Sequence, residues 1–236
     1  MLFKKIHKAS LAALALTAAI AYAPSGSAAL LNGSFESPNA SSGDEYCSDD
    51  WECFNETYTS SNLYMPGGGF VNPTAHSGDQ VLKQFGFDGG ATQRITASEG
   101  DTVEASVYAM NWSGDEFNNL ALLQIAYFDD GGGLLGFDEV FADSLGNQDY
   151  LLTPQDGGEI FDWTLMEVSG VAPAGTAEAQ ILLLHILTDG TPNDGSIFWD
   201  SASLTATPAV VPVPAAIWLF GSGLLGLVGV ARRRKN

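Results

Sequence analysis

Short strand-like segments separated by glycine- and aspartate-rich turns are the feature that most constrains the fold. Residues 102–109 alternate polar and apolar, which predicts a half-buried strand with Val103, Ala105, Val107 and Ala109 on its inner face. Residues 120–128 and 177–187 are apolar on both faces and predict central strands covered on both sides. Residues 197–204 predict a last strand.

The turns between these segments carry Gly and Asp, which are the residues that tight turns favour. They stand at residues 88–90, 129–133, 156–158 and 189–190. The turn at Asp129-Asp130-Gly131 lacks the spaced carboxylates of an EF-hand and predicts a hairpin. Because only the two ends of the chain show a sustained helical pattern, the middle is predicted to be an all-β sandwich or jelly roll.

The N-terminus has the pattern of a secretory signal peptide, predicted over residues 1–29. Lys4, Lys5 and Lys8 precede a short apolar core, and small residues follow up to Ala29. An uncleaved anchor is the alternative. The remaining chain divides into an ectodomain over residues 30–204, a linker over 205–211 and a tail over 212–236.

The tail combines a proline-containing motif, an apolar segment and a basic end. The motif is Val211-Pro212-Val213-Pro214-Ala215, and Arg232, Arg233, Arg234 and Lys235 close the chain. Residues 215–231 carry no charge and would span roughly 25 Å as a helix, enough to predict one transmembrane helix. The terminal arginines place its end in the cytoplasm and the ectodomain outside.

These three parts, in this order, resemble the PEP-CTERM sorting tails in their VPxPA form. The resemblance covers about a tenth of the chain, and Val213 stands where the founding motif has Glu. It implies a Gram-negative bacterium, an exosortase-type processing enzyme as partner, and delivery from the inner membrane to the cell surface or extracellular matrix. A plain C-terminal anchor that is never cut is the alternative.

The charge of the predicted ectodomain limits its partners. All 28 acidic residues lie between Glu36 and Asp200, where Lys83 and Arg94 are the only cations, so this part has a net charge of −26. Nucleic acid is excluded as a natural partner because phosphate binding needs cations. The acidic surface should keep the protein soluble and attract divalent cations.

The two cysteines, Cys47 and Cys53, are predicted to form a local disulfide. Export would place them in an oxidising compartment, where thiols pair. A catalytic cysteine is unfavourable because Asp49, Asp50 and Glu52 would raise the thiol pKa.

A succession of short motifs along the ectodomain resembles galactose-binding-like jelly rolls of the family 4/9/22-type carbohydrate-binding modules. It runs from Leu31-Asn32-Gly33-Ser34-Phe35-Glu36, through His76-Ser77-Gly78-Asp79-Gln80, to Ile197-Phe198-Trp199-Asp200. The resemblance implies a non-catalytic sandwich with a structural calcium ion held by Glu36 and Asp200, with Asn32 and Asp79 as helpers. Carboxylates from distant strands suit calcium, which takes six to eight oxygen ligands. Ordinary acidic residues at strand ends are the alternative.

Glycan binding would need exposed aromatic rings, since sugar rings stack on flat apolar faces. The candidates are Trp112, Trp51, Tyr64 and Phe117, with Trp112 foremost. Trp163 and Trp199 are expected in the core. A loop tryptophan folded against the sandwich edge is the alternative for Trp112.

The sequence therefore predicts an exported, non-catalytic surface protein that interacts with carbohydrate, with the cell's own exopolysaccharide as the expected partner. The first alternative is an acidic structural matrix or adhesion protein without a sugar site. A secreted glycoside hydrolase is the weaker alternative, because any chain with so many carboxylates contains pairs that look suitable. His185 lies in an apolar run and is expected to be a buried strand histidine.

Overall fold

The computed structural model describes residues 29–40, 44–61, 63–65, 69–71, 75–86, 88–111, 119–152, 163–188 and 195–209. The predicted sorting motif, transmembrane helix and nearly all of the signal peptide lie outside these ranges, as do Trp112 and Phe117. No helix long and apolar enough to cross a membrane occurs among the described residues.

The described chain is built from short strands, in agreement with its period-two pattern. In chain order they are β1 (Asp44–Tyr46), β2 (Glu52–Phe54), β3 (Thr57–Ser60), β4 (Leu63–Met65), β5 (Gly69–Val71), β6 (Val81–Phe85), β7 (Gly90–Thr96), β8 (Thr102–Met110), β9 (Leu120–Phe128), β10 (Leu134–Asp143), β11 (Tyr150–Leu151), β12 (Thr164–Val171), β13 (Glu178–Ile186) and β14 (Ser196–Thr207).

These strands form two six-stranded sheets and a separate β4–β5 pair. Sheet A has the order β1-β3-β6-β14-β8-β12, and sheet B has the order β11-β10-β9-β13-β7-β2. The prediction of an all-β sandwich is confirmed. The β9–β10 hairpin turns at Asp129, whose Oδ1 accepts hydrogen bonds from the N–H groups of Gly131 at 2.9 Å and Gly133 at 2.7 Å.

The core lies between the sheets and follows the predicted alternation. On β8, Val103, Val107 and Ala109 are fully buried and Ala105 is 3% exposed, which confirms their predicted inward direction. The inward residues of β9 and β13 meet them from sheet B. Apolar burial on this scale is the main stabilising term for such a domain.

A polar side chain crosses this core and ties the two sheets together. Gln84 on β6 is fully buried, and its Nε2 donates to the carbonyl of Leu183 on β13 at 3.1 Å. Its Oε1 accepts a hydrogen bond from Nε1 of Trp199 on β14 at 3.0 Å. Both ends of the amide are therefore satisfied inside the sandwich, as buried polar groups require.

The last strand continues beyond its predicted end. β14 runs through Thr207, so residues 205–207, predicted to be linker, belong to sheet A. They pair with β8, and Ala206 packs in the core at 5% exposure, which continues the inward alternation from Leu204. The register shifts between Asp200 and Ser203, where Ser201 has a φ of 50°.

The two cysteines form a disulfide where the chain passes from one sheet to the other. Cys47 directly follows β1 of sheet A, and Cys53 lies in β2 of sheet B. Their Cα atoms are 5.5 Å apart. The bond therefore fixes the edge strands of both sheets to each other.

Candidate functional site

The outward side of sheet B, which we call the B face, presents an ordered set of side chains from β2, β7, β13, β9 and β10. Residues directly opposite each other in antiparallel strands point to the same side, so the strand register defines rows across the sheet. One row contains Phe54, Gly90, Leu184, Leu122 and Phe141. The next contains Glu52, Thr92, Leu182, Gln124 and Glu139.

The first row forms an apolar strip that begins with a partly exposed aromatic ring. Phe54 is 40% exposed, and its ring lies across Gly90 of the neighbouring strand. A Cβ atom at Gly90 would stand 2.0 Å from Cζ of Phe54, so glycine is needed for the ring to occupy this position. Leu122, farther along the row, is only 4% exposed.

Beside this strip lies a set of paired polar side chains. Nε2 of Gln124 donates to Oε2 of Glu139 at 2.7 Å, and Nε2 of Gln180 donates to Oγ1 of Thr92 at 3.2 Å. Each pair bridges two adjacent strands and leaves further donor and acceptor capacity. The B face therefore offers donors and acceptors within one or two rows of an apolar strip.

The far end of the B face carries one of the two ectodomain cations. Arg94 forms a 3.0 Å ion pair with Glu178, and its guanidinium lies 4.0 Å from the ring centroid of Phe128. Such an exposed ion pair contributes little to stability. Phe137, in the same row as Arg94, is 54% exposed. Exposed aromatic rings therefore lie on both sides of the polar pairs, with Phe54 on one side and Phe137 on the other.

The aromatic residues that the sequence singled out do not form this face. Trp51 is only 7% exposed, packs against Phe35 with ring centroids 5.1 Å apart, and donates from Nε1 to the carbonyl of Asn32 at 3.1 Å. It is a core residue, so its prediction as an exposed sugar platform is wrong. Tyr64 lies in β4, whose side chains are outside the described part, as Trp112 and Phe117 are entirely.

Phe54 and Phe137 were missed because a single phenylalanine gives no sign of the direction in which it points. The available signal was alternation within each strand: Phe54 follows the inward Cys53, and Phe137 precedes the inward Asp138. Trp199 is fully buried as predicted, and Trp163 packs against a small second cluster of Val81, Met110 and Phe198.

Three of the four residues predicted to hold calcium, Glu36, Asp79 and Asp200, meet at one loop. Glu36 and Asp200 both bind the loop formed by residues 76–80. Oε1 of Glu36 accepts hydrogen bonds from the N–H groups of Asp79 and Gln80, each at 2.9 Å. Oδ2 of Asp200 accepts from the N–H of Ser77 at 2.7 Å, and Oδ1 accepts from its hydroxyl at 2.9 Å. Gly78 has a φ of 64° and packs directly on the Glu36 carboxylate.

Asn32 and Asp79 do not join these carboxylates as ligands. Nδ2 of Asn32 donates to the carbonyls of Ser37 at 2.6 Å and Asp49 at 2.9 Å, while the side chain of Asp79 is exposed. Within the described ranges no three His, Cys, Asp or Glu side chains converge on one point. Calcium remains a prediction of the sequence.

Burial has the largest effect on the pKa of Asp200. Its side chain is fully buried, and burial raises its pKa above the ordinary value, although the hydrogen bonds from Ser77 and Ser201 act in the opposite direction. His185 is also fully buried, and its Nε2 lies 2.9 Å from Nδ2 of Asn119, as expected of a strand histidine in the core.

Solved structures with the same architecture include a Stig cyclase from Fischerella sp. TAU. It is 16% identical over 78% of this chain and 98% of its own length, with a TM-score of 0.53, which supports the shared fold alone. The enzymatically active domain of tailspike protein 4 from bacteriophage CBA120 is 13% identical over 74% of this chain, with a TM-score of 0.47, and this chain spans 21% of its length.

A xylan-binding CBM22-1 domain from Paenibacillus barcinonensis is 16% identical over 75% of this chain and 94% of its own length, with a TM-score of 0.45. Likenesses this distant carry no argument about function. No protein-family model matches the sequence, and no curated protein matches it.

Proposed function

We propose that this chain is a non-catalytic carbohydrate-binding protein that binds a glycan on the B face. The observation that carries the proposal is the ring of Phe54, which lies over Gly90 at the start of an apolar strip and beside a row of paired polar side chains. A pyranose ring has the same two-sided character, with C–H groups on its faces and hydroxyls around its rim.

The arrangement suits stacking and hydrogen bonding at the same time. The sugar ring would lie on Phe54 and the partly exposed Leu184 beside it, where water is excluded from both apolar surfaces. Its hydroxyls would then reach the row that contains Thr92, Gln124 and Glu139, two residues farther along each strand, or roughly 7 Å away. Amide and carboxylate groups provide the donors and acceptors that sugar hydroxyls require.

The charge of the protein favours a neutral glycan. The described part of the B face contains Glu52, Glu139 and Glu178 but only Arg94 as a cation, and Arg94 is already paired. A carboxylated or sulfated polysaccharide would be repelled by these groups. A neutral exopolysaccharide meets no such penalty.

The remaining parts of the proposal rest on the sequence. We assign the chain to the galactose-binding-like jelly rolls, and we place it outside the cytoplasm, carried there by its signal peptide and its PEP-CTERM-like tail. An exosortase-type enzyme is the proposed processing partner. The non-enzymatic role is likewise carried over from the sequence as part of the proposal.

The B face can be tested with two substitutions that act on the same ring. Phe54→Ala removes the ring, and Gly90→Ala adds a methyl group where the ring lies. Each should weaken binding of the full-length protein to a neutral polysaccharide by about tenfold, which corresponds to about 1.4 kcal/mol. Affinity electrophoresis against xylan, galactan and mixed-linkage glucan measures the effect, with Val171→Ala on exposed β12 as the matched control.

Unchanged binding in both variants would contradict the assignment of the site to the B face. If the wild-type protein binds none of the three polysaccharides while it remains folded, the carbohydrate role itself is wrong. The acidic structural matrix protein is then the better description.

Calcium is tested separately from glycan binding. An ion that binds the folded state alone stabilises it by about 2.7 kcal/mol at a hundredfold excess over its dissociation constant. If calcium is a ligand, the melting temperature should rise on adding CaCl₂ and fall with EDTA, and Glu36→Gln should abolish the response. A melting temperature that responds equally to MgCl₂ would indicate general screening of the acidic surface instead.

A further inference from the structure

We propose that the outward side of sheet A carries a second glycan-binding platform, so that one molecule can bridge two neutral glycan chains. This inference rests on the proposed function, since it assigns the same ligand class to a different surface. The platform consists of Tyr46, Tyr58 and Phe85 together with Lys83, on three adjacent strands at the edge of sheet A.

The three rings form a continuous aromatic ladder. The rings of Tyr46 and Tyr58 meet edge to face with centroids 5.9 Å apart, and those of Tyr58 and Phe85 are stacked at 5.6 Å. Tyr46 is 58% exposed, and Tyr58 and Phe85 are partly exposed. Surface aromatics arranged across strands β1, β3 and β6 offer a sugar ring an extended stacking surface.

Lys83 places a cationic hydrogen-bond donor beside the ladder. It is 6% exposed, and among the described residues its ammonium group makes no hydrogen bond or ion pair. Its contact is with Phe85, with Nζ 4.7 Å from the ring centroid. In the part of the chain that the structure describes, Nζ of Lys83 is not one of the buried polar atoms that lack a partner, so the ammonium reaches the surface with its three N–H donors available. Sugar hydroxyl oxygens would accept from them.

The groups around Lys83 favour a neutral ligand over an anionic one. The hydroxyl of Tyr58 donates to Oε2 of Glu56 at 2.6 Å, and this bond raises the pKa of Tyr58 to about 12. Asp44, on β1, accepts a hydrogen bond from the hydroxyl of Ser60. These carboxylates would accept hydrogen bonds from sugar hydroxyls, and they would repel a carboxylated sugar.

The position of the ladder makes the molecule bivalent. It lies on the outer side of sheet A, whereas Phe54 lies on the outer side of sheet B, so the sandwich core separates the two surfaces. A short oligosaccharide cannot reach around the core to contact both faces. Two polysaccharide chains can each occupy one face at the same time. Bridging converts modest single-site affinities into a strong association of protein and polymer.

The test uses the full-length protein and a neutral polysaccharide that the wild type binds. Isothermal titration with a short oligomer of that polysaccharide should give two oligomers per protein. Lys83→Met keeps the apolar stem and removes the ammonium, and Tyr46→Ala removes the most exposed ring; each should reduce the stoichiometry to one. Phe54→Ala should leave the sheet A site unchanged and weaken the other about tenfold, so that the titration resolves one unchanged and one weakened site.

Light scattering with the long polymer provides the second readout. Wild-type protein should cross-link the polymer and raise the scattering, with a maximum at an intermediate protein-to-polymer ratio, whereas Lys83→Met should bind without cross-linking. A wild-type stoichiometry of one, with an affinity that Phe54→Ala weakens and that Lys83→Met and Tyr46→Ala leave unchanged, overturns the second platform and leaves the B face intact. Absence of all binding by a folded wild type overturns both.

Discussion

Trp199→Ala should lower the free energy of unfolding by about 3–5 kcal/mol, the largest effect expected from a single substitution in this chain. The side chain is fully buried in the centre of sheet A, so its removal leaves a cavity. The indole N–H also bonds Gln84, the residue that ties the two sheets together. Chemical denaturation followed by circular dichroism measures the loss.

Two further variants separate the causes of this loss. Trp199→Phe keeps most of the apolar volume but leaves Oε1 of Gln84 without the indole donor, which should cost about 1–3 kcal/mol. Val171→Ala, at a side chain that is 66% exposed, should change stability by no more than about 0.5 kcal/mol. A Trp199→Ala variant as stable as the Val171→Ala control would show that the core is not packed as described.

Asp200→Ala should produce the second-largest effect, a loss of about 2–3 kcal/mol. The carboxylate accepts hydrogen bonds from Ser77 and Ser201, and its removal leaves their buried or half-buried donors without a partner. Because Ser77 belongs to the loop of residues 76–80, we expect faster amide hydrogen exchange in that loop before the sheets open. Exchange measured by mass spectrometry on wild type and variant tests this.

The pH dependence of the Asp200 contribution has a defined sign. Burial raises the folded-state pKa above the ordinary value of 3.8, so the folded protein binds this proton more tightly than the unfolded chain does. The stabilisation is complete below the ordinary pKa and is lost as the pH rises through the higher folded-state pKa. Wild type should therefore exceed Asp200→Asn in stability by a larger margin near pH 4 than at pH 7. A margin that grows with pH would mean that the hydrogen bonds outweigh burial.

The period-two pattern was sufficient to predict the fold class and the inward side of the long strands. On β8 every second residue from Val103 is buried because the strand lies against a complete second sheet. The end of β14 was misplaced because Thr205 and Ala206 have the composition of a linker, and only the pairing with β8 makes them strand.

The candidate site was harder to predict because exposure of an aromatic side chain depends on tertiary packing. Trp51 has the acidic neighbours of a surface loop, yet Phe35 and the carbonyl of Asn32 hold it in the core. Phe54 stands three residues later and is exposed on a sheet edge. The difference arises from contacts between segments far apart in the chain, which no local pattern encodes. Glu36 and Asp200 were predicted to share a calcium ion; in the structure both accept hydrogen bonds from one loop, and the calcium stays a prediction.

The disulfide lies between the two proposed platforms and is bonded to both. Tyr46 precedes Cys47 and Phe54 follows Cys53, so each proposed platform begins at a residue bonded directly to one half of the same crosslink. The hydroxyl of Tyr46 also donates to the carbonyl of Cys53 at 3.1 Å. If the two platforms bind glycan as proposed, the crosslink sets their relative placement, and reducing it should weaken both sites together rather than one of them.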